Sequence, residues 1–70
     1  MMDKMIEKIK AERSDLNGKI SRLSEFLEST EFNRSIKISR LHIDLLRTQL
    51  NVMIAYSRIL TLRLEDLGED

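Results

Sequence analysis

The sequence contains no cysteine and no proline, and its only aromatic residues are one tyrosine and two phenylalanines. Without cysteine no disulfide stabilises the fold, and the single histidine has no second histidine or cysteine at metal-ligand spacing. A chain of 70 residues buries only about 60 % of its unfolded surface, so a lone copy would be marginally stable. Association with other copies is the route to stability that remains.

Long hydrophobic runs are also missing. No stretch of about 18 apolar residues exists, which predicts a protein that does not span a membrane. The N-terminal segment MMDKMIEKIKAER is charged throughout, so we expect no signal peptide. These features, with the absence of cysteine, predict a soluble cytoplasmic protein.

The segment from Leu41 to Leu67 organises the rest of the chain. It contains neither glycine nor proline. Its apolar residues recur every three or four positions, which places them on one side of an α-helix in two neighbouring rows. The first row contains Leu46, Leu50, Met53, Leu60, Leu64 and Leu67, with Ser57 as its only polar interruption, and the second row contains Leu41, Leu45, Val52, Ile59 and Leu62. Because one partner helix covers one row, the second row predicts oligomerisation through this helix.

An N-terminal helix with Asp3 as its cap is predicted to supply the partner for the first row. Its a and d positions form a coiled-coil seam. These positions are Met2, Ile6, Ile9, Arg13, Leu16, Ile20, Leu23 and Leu27, of which only Arg13 is polar. Gly18 lies inside this helix, where glycine costs about 1 kcal/mol relative to alanine, so we expect a kink or a close helix approach there.

The helical pattern fails after Ser29. We predict a connector over about residues 30–38, with one helical turn near Thr30, and Ser35 or Ser39 as the N-cap of the second helix. Gly68 is predicted to end that helix. The expected fold is all-α: one domain over residues 1–70, an antiparallel hairpin of two long helices at about 3–29 and 39–67.

The net charge is zero, but the basic residues are concentrated. Between residues 34 and 63 six basic residues accompany a single acid, Asp44. The six are Arg34, Lys37, Arg40, Arg47, Arg58 and Arg63. By itself, this excess of positive charge is explained more simply by a solvated surface. It indicates a site for an anionic ligand only if an assembly brings the cations of several copies together. A pI of 6.6 and four acids in the last six residues argue against DNA.

Residues for catalysis are also missing. We assign no catalytic residue, no metal ligand and no cofactor. The sequence has no glycine-rich phosphate loop and no nucleophile motif. His42, near a helix start, is expected to be a surface or capping residue. The carboxylate pairs, such as Asp3 and Glu7, lie among basic residues, where salt bridges are the simpler interpretation. We therefore expect a protein that is not an enzyme.

Two segments resemble a known family. They are KISRLSEFL, from Lys19 to Leu27, and QLNVMIAYSRILTLR, from Gln49 to Arg63. Together with Glu12, Leu16, Leu45 and Leu46 they are similar to small helical-hairpin proteins of bacteriophages. These include the anti-CBASS cyclic-oligonucleotide sponges and the hairpin portion of a Thoeris anti-defence protein. The polar matches are Lys19, Gln49, Tyr56 and Arg63.

The resemblance implies a function without chemistry. The sponges assemble as hexamers in the host bacterial cytoplasm and withhold cyclic di- and trinucleotide signals from defence effectors. By analogy Lys19 would contact phosphate, and Arg63 would reach a ring of phosphates with Ser21 and Arg22 close by. Tyr56 occupies the place of a large aromatic residue that binds or packs. Gln49 is expected to form an interhelical hydrogen bond.

The sequence departs from the sponges at one point. Their dinucleotide pocket uses an aromatic residue before the lysine of the first helix, whereas this chain has no aromatic residue before Phe26. Since stacking contributes about 1–3 kcal/mol per base, a cyclic trinucleotide is favoured, with a cyclic dinucleotide or a cyclic ADP-ribose isomer as alternatives.

A second interpretation belongs to another class of protein. The apolar rows would equally suit a structural or adaptor coiled-coil protein that binds a partner helix. In that case Arg63 would form an exposed ion pair with Asp66. A closed pocket lined by Lys and Arg side chains would favour the sponge, and an outward-facing basic stripe would favour the adaptor.

Overall fold

The computed structural model describes residues 2–32 and 38–69, and the side chains of 3–29 and 38–69. Helix α1 spans Met2–Phe32 and helix α2 spans Arg40–Asp66. No strand occurs in the described residues. The helices pack side by side in a rod of 50 × 16 × 15 Å. The predicted all-α hairpin is therefore confirmed.

Polar contacts between the helices establish their antiparallel direction. Arg13 Nη1 donates to Thr61 Oγ1 at 3.2 Å, and Ser57 Oγ donates to Asn17 Oδ1 at 2.6 Å. From Arg13 to Asn17 the chain advances four residues along α1, whereas from Thr61 to Ser57 it goes back four residues along α2. The two helices therefore run in opposite directions. An ion pair at 2.9 Å between Lys10 Nζ and Glu69 joins α1 to the end of the chain.

Both ends of α2 carry specific caps. Ser39 is the N-cap, and its hydroxyl accepts from the His42 backbone N–H at 3.1 Å. Gly68, at φ +82°, follows the C-cap Leu67. The Gly68 N–H donates to the backbone carbonyl of Glu65, and the Glu69 N–H donates to the backbone carbonyl of Leu64, both at 2.9 Å. This pair of hydrogen bonds is a Schellman motif. Ser39 and Gly68 are confirmed. Ser35, the alternative N-cap, lies outside the described residues.

The helix bounds differ slightly from expectation at the connector. Helix α1 continues to Phe32, three residues beyond the predicted end. A helical turn was expected near Thr30, and that residue belongs to α1 itself. Most of the expected connector, residues 33–37, lies outside the described residues.

The core consists of the α1 seam and the first row of α2. Leu60 and Leu64 are fully buried, and they pack against Ile9 and Leu16. Ile6, Ile20, Met53 and Leu67 are partly buried around them. Arg13, the polar residue in the seam, is half-buried, and its hydrogen bond to Thr61 places it inside the helix pair.

The second row of α2 has no cover among the described residues of the hairpin. Its five side chains, at Leu41, Leu45, Val52, Ile59 and Leu62, are 52–68 % exposed. The division of the α2 apolar residues into one packed and one unpacked row is as predicted. Whether a second copy covers the unpacked row stays a prediction at this point. No helix in the described part of the chain is long and apolar enough to cross a membrane.

The close helix approach that was one expectation at Gly18 is wrong, and the alternative, a kink, stays a prediction. Helix α1 runs through Gly18 without interruption. Among the described residues, a Cβ added there would meet only Arg22 Nη1 of the same helix, at 3.4 Å. The first helix therefore carries a glycine that the approach of α2 does not require.

We expect Gly18→Ala to stabilise the protein. The substitution removes the helix penalty of glycine, about 1 kcal/mol, and the Arg22 side chain has room to adjust. At fixed protein concentration the melting temperature should rise by about 4–8 °C for a domain of this size. Circular dichroism during thermal unfolding measures it.

Gly68→Ala is the matched control with the opposite expected sign. Its φ of +82° is unfavourable for any residue with a Cβ, so the melting temperature should fall. A destabilised Gly18→Ala variant would mean that α2 approaches α1 more closely than the structure indicates.

Candidate functional site

The predicted site residues lie mostly on one side of the hairpin, which we call the site face. It is built from two rows with seven-residue spacing. Met5, Glu12 and Lys19 form the row on α1, and Gln49, Tyr56 and Arg63 form the row on α2. Seven residues are nearly two full turns of an α-helix, so each row stays on one side of its helix. Because the helices are antiparallel, Met5 faces Arg63, Glu12 faces Tyr56, and Lys19 faces Gln49.

The first groove of the site face lies around Lys19. Lys19, Arg22 and Gln49 line it over an apolar floor of Leu16, Leu23 and Met53, and its volume is about 520 Å³. The Lys19 ammonium lies 3.7 Å from Asp15 on the same helix, and both side chains are exposed. Such exposed pairs contribute little, so the ammonium is available to a ligand anion.

Among residues 2–32 and 38–69, Gln49 does not form the interhelical hydrogen bond that we expected. Its Nε2 lies 3.9 Å from the Met53 sulfur, one turn along the same helix. The amide is exposed and therefore forms part of the groove wall. It does not tie the two helices together.

The middle of the site face is closed by a side-chain bridge. The Tyr56 hydroxyl donates a hydrogen bond to Glu12 Oε2 across the helix pair. That hydrogen bond, with smaller contributions from burial and from the Glu12 charge, raises the pKa of the Tyr56 phenol. The charge of Arg63 acts in the opposite direction. The ring remains 40 % exposed, so Tyr56 both joins the helices and faces solvent.

The second groove lies around Arg63, at the other end of the site face. Arg63 and Asp66 line it together with apolar residues of both helices, and its volume is about 460 Å³. The apolar residues are Met5, Ile59, Leu62 and Leu67. Asp66 lines the groove without forming an ion pair with Arg63 among the described residues. The expected helix ion pair is therefore not formed in this structure.

Lys19 and Arg63 do not meet within one chain. Lys19 faces Gln49, and Arg63 lies two seven-residue steps further along α2, a separation of about 21 Å at 1.5 Å per residue. Arg22 belongs to the Lys19 groove. A small ligand in one chain can therefore contact Lys19 and Arg22, or Arg63, but not both groups.

Ser21 lies away from both grooves. It is exposed and lines neither of them. Two residues along a helix rotate a side chain by about 200°, so Ser21 and Lys19 point in opposite directions. Within one chain the structure therefore separates Ser21 from Arg63, which the resemblance had placed close together.

Glu12 is the charged member of the site face to which the sequence analysis gave no role. It was visible as one of the residues that resemble the family, and it lies one heptad before Lys19. That spacing alone would have placed it on the same side of α1 as Lys19, two turns away. Its partner Tyr56 could be identified only from the register between the helices.

The opposite side of the hairpin is occupied by contacts that hold the helices together. The Arg13–Thr61, Asn17–Ser57 and Lys10–Glu69 contacts lie there. Within residues 2–32 and 38–69 no group of three acidic, histidine or cysteine side chains is arranged to hold a metal ion. His42 is exposed, as expected for a surface residue, and its backbone N–H donates to the hydroxyl of the N-cap Ser39.

Comparison with known proteins identifies a matching family. The model of the family described as Sequestin matches residues 3–66, a range that includes all of α2, all of α1 except Met2, and every residue of the site face. No curated protein and no solved structure matches the chain.

We expect the Tyr56 phenol to titrate above the ordinary tyrosine pKa of about 10. Because the chain has one tyrosine and no tryptophan, phenolate absorbance reports this group alone. A raised pKa in the folded state means that the bridge stabilises the fold below pH about 10. This stability is lost as the pH rises through the higher folded value.

Glu12→Ala should bring the Tyr56 pKa back toward its ordinary value, since it removes the acceptor and the charge. Glu7→Ala is the matched control, because Glu7 is exposed on the same helix and points away from Tyr56. An absorbance titration that gives the same pKa in wild type and Glu12→Ala would contradict the bridge.

Proposed function

The chain belongs to the Sequestin family, and on that basis we propose that it is a non-enzymatic sponge. It binds a cyclic oligonucleotide immune signal and withholds it from bacterial anti-phage effectors, and it is encoded by a phage. The observation that carries this proposal is the groove in which Lys19 and Arg22 face solvent beside Gln49, over an apolar floor. The family description names a sequestering protein, and this groove supplies the chemistry for an anionic cargo.

The composition of the groove suits a phosphate-containing ligand. The planar fork of Arg22 offers two donors to a phosphate, and the Lys19 ammonium adds a second positive charge. Leu16, Leu23 and Met53 offer apolar contact to a base or a ribose. Its volume of about 520 Å³ lies in the range of small-molecule sites, roughly 300–1,000 Å³.

The grooves are shallow in a single hairpin, and we propose that further copies of the chain close them. The exposed second row lies on the same side of α2 as Tyr56 and Arg63. Two of its members, Ile59 and Leu62, line the Arg63 groove directly. Association through this row would bury the apolar side chains and cover the grooves at the same time. By resemblance to the phage sponges we expect a hexamer.

Assembly also offers Lys19 and Arg63 a way to act on the same class of ligand. A closed symmetric oligomer brings equivalent residues of several copies to one axis. Several Arg63 or several Lys19 side chains then surround one ligand, although the two residues are about 21 Å apart in one chain. A cyclic trinucleotide remains the favoured cargo, with a cyclic dinucleotide or a cyclic ADP-ribose isomer as alternatives.

The rival proposal is an adaptor that uses the second row to bind a helix of another protein. The exposure of Leu41, Leu45 and Val52 favours it as much as it favours self-association. Calorimetry against cyclic di- and trinucleotides and cyclic ADP-ribose isomers separates the two functions. The sponge binds one of these ligands and releases it unchanged on heat denaturation. Absence of binding, or recovery of a hydrolysed product, would overturn the sponge.

We expect the protein in solution to be larger than one chain. Burying each exposed apolar side chain contributes roughly 1.5–3 kcal/mol, so Val52→Glu with Ile59→Glu should dissociate or unfold it. The matched control is Asn51→Glu with Arg58→Glu, the neighbouring exposed pair with the same spacing. Light scattering at micromolar concentration measures the mass. A folded wild-type monomer would contradict this prediction.

We expect Lys19→Ala and Arg63→Ala to weaken ligand binding without loss of stability. Each removes a charged donor worth about 1.5–3 kcal/mol per contact, which is about tenfold to a hundredfold in affinity. Every copy around a shared ligand loses its contact together. Both side chains are exposed, so the melting temperature should stay near that of wild type.

Arg58→Ala is the control for both variants. It removes the same charge from an exposed position of α2 that lines a groove on the opposite side of the hairpin. Calorimetry and thermal unfolding are measured on all three variants. If affinity survives in Lys19→Ala and Arg63→Ala, the cargo binds elsewhere.

A further inference from the structure

The site face has the composition of a groove for single-stranded nucleic acid. Such grooves combine a line of cations, which follows the phosphates, with exposed aromatic rings on which bases stack. Here Arg22, Lys19 and Arg63 are exposed along the interhelical groove. One partly exposed ring, Tyr56 at 40 %, lies between them. A protein that must capture a scarce small ligand would be saturated by cellular RNA if this face accepted linear strands.

One acid interrupts this line of cations. Glu12 lies between the Lys19 groove and the Arg63 groove, and its carboxylate holds the Tyr56 hydroxyl. The other acids of the face lie at its edges: Asp15 beside Lys19, and Asp66 beside Arg63. A strand that ran from Lys19 to Arg63 would have to pass directly over the Glu12 carboxylate.

We propose that Glu12 is a specificity-determining residue that keeps linear single-stranded nucleic acid off the site face. Its negative charge repels phosphates at the midpoint of the groove. Its hydrogen bond fixes the Tyr56 ring across the helix pair, so the ring cannot turn to follow a base. A compact ligand that occupies one groove does not cross this point, so Glu12 discriminates by length and shape. The inference shares one assumption with the proposed function, which is that the site face binds phosphate.

The test compares two substitutions of Glu12 with the same substitutions at Glu7, which is exposed on the opposite side of α1. Each variant loses one negative charge, so an effect of net charge alone is equal in both. Glu12→Gln keeps a hydrogen-bond acceptor for Tyr56, and Glu12→Ala removes it. The probe is a fluorescently labelled oligothymidylate of about eight nucleotides, within the usual site size for one such groove.

Fluorescence anisotropy at low salt, followed by a salt series, gives the affinities. We expect wild type and both Glu7 variants to bind the probe weakly. Removing one exposed negative charge near a phosphate raises the affinity on the order of fivefold. Glu12→Gln should therefore bind the probe about fivefold more tightly than wild type. Glu12→Ala, which also frees the ring, should gain about tenfold or more.

Equal affinity of the Glu12 and Glu7 variants for the probe would overturn the proposal, and so would absence of binding by all of them. Circular dichroism establishes that each variant is folded. Failure of this proposal is distinguishable from failure of the sponge function. That function fails when wild type binds no cyclic nucleotide, whereas the comparison of Glu12 with Glu7 uses a linear probe and does not depend on that result.

Discussion

Burial of Leu60 and Leu64 against Ile9 and Leu16 is the contact on which every other feature of this hairpin depends. Both leucines are fully inaccessible to solvent, and each such side chain contributes roughly 1.5–3 kcal/mol when it leaves water. A chain this short has few other sources of stability, since it has no disulfide. The position of these side chains sets the register between the helices, and the register decides which polar residues face each other.

The register turns two ordinary heptad rows into a surface with a definite order. A seven-residue spacing keeps Met5, Glu12 and Lys19 on one side of α1, as it keeps Gln49, Tyr56 and Arg63 on one side of α2. Sliding one helix by a single turn would place Tyr56 away from Glu12 and would break the bridge. The Arg13–Thr61 and Asn17–Ser57 hydrogen bonds oppose such a slip from the other side.

Local and periodic features of this fold were predictable, whereas contacts that depend on register were not. The seam of α1, the packed and exposed rows of α2, and the caps at Ser39 and Gly68 follow from spacing and residue type within one helix. Gly18 was misjudged because glycine in a helix is compatible with close packing as well as with open space. The Glu12–Tyr56 bridge and the separation of Lys19 from Arg63 depend on how two helices align. A single sequence does not encode that alignment in any short pattern.

The geometry also imposes a condition on any binding at this face. An exposed cation such as Lys19 interacts with one phosphate through water of high dielectric constant, where an ion pair is worth about 0–1 kcal/mol. A single hairpin with shallow grooves is therefore a weak receptor. Its affinity must come from excluding water and from repeating the same contact several times around one ligand. Two members of the exposed second row, Ile59 and Leu62, line the Arg63 groove, so association of copies through that row would accomplish both there. The apolar residues that a lone chain leaves in water are thus the residues from which a sponge of this size would obtain its affinity.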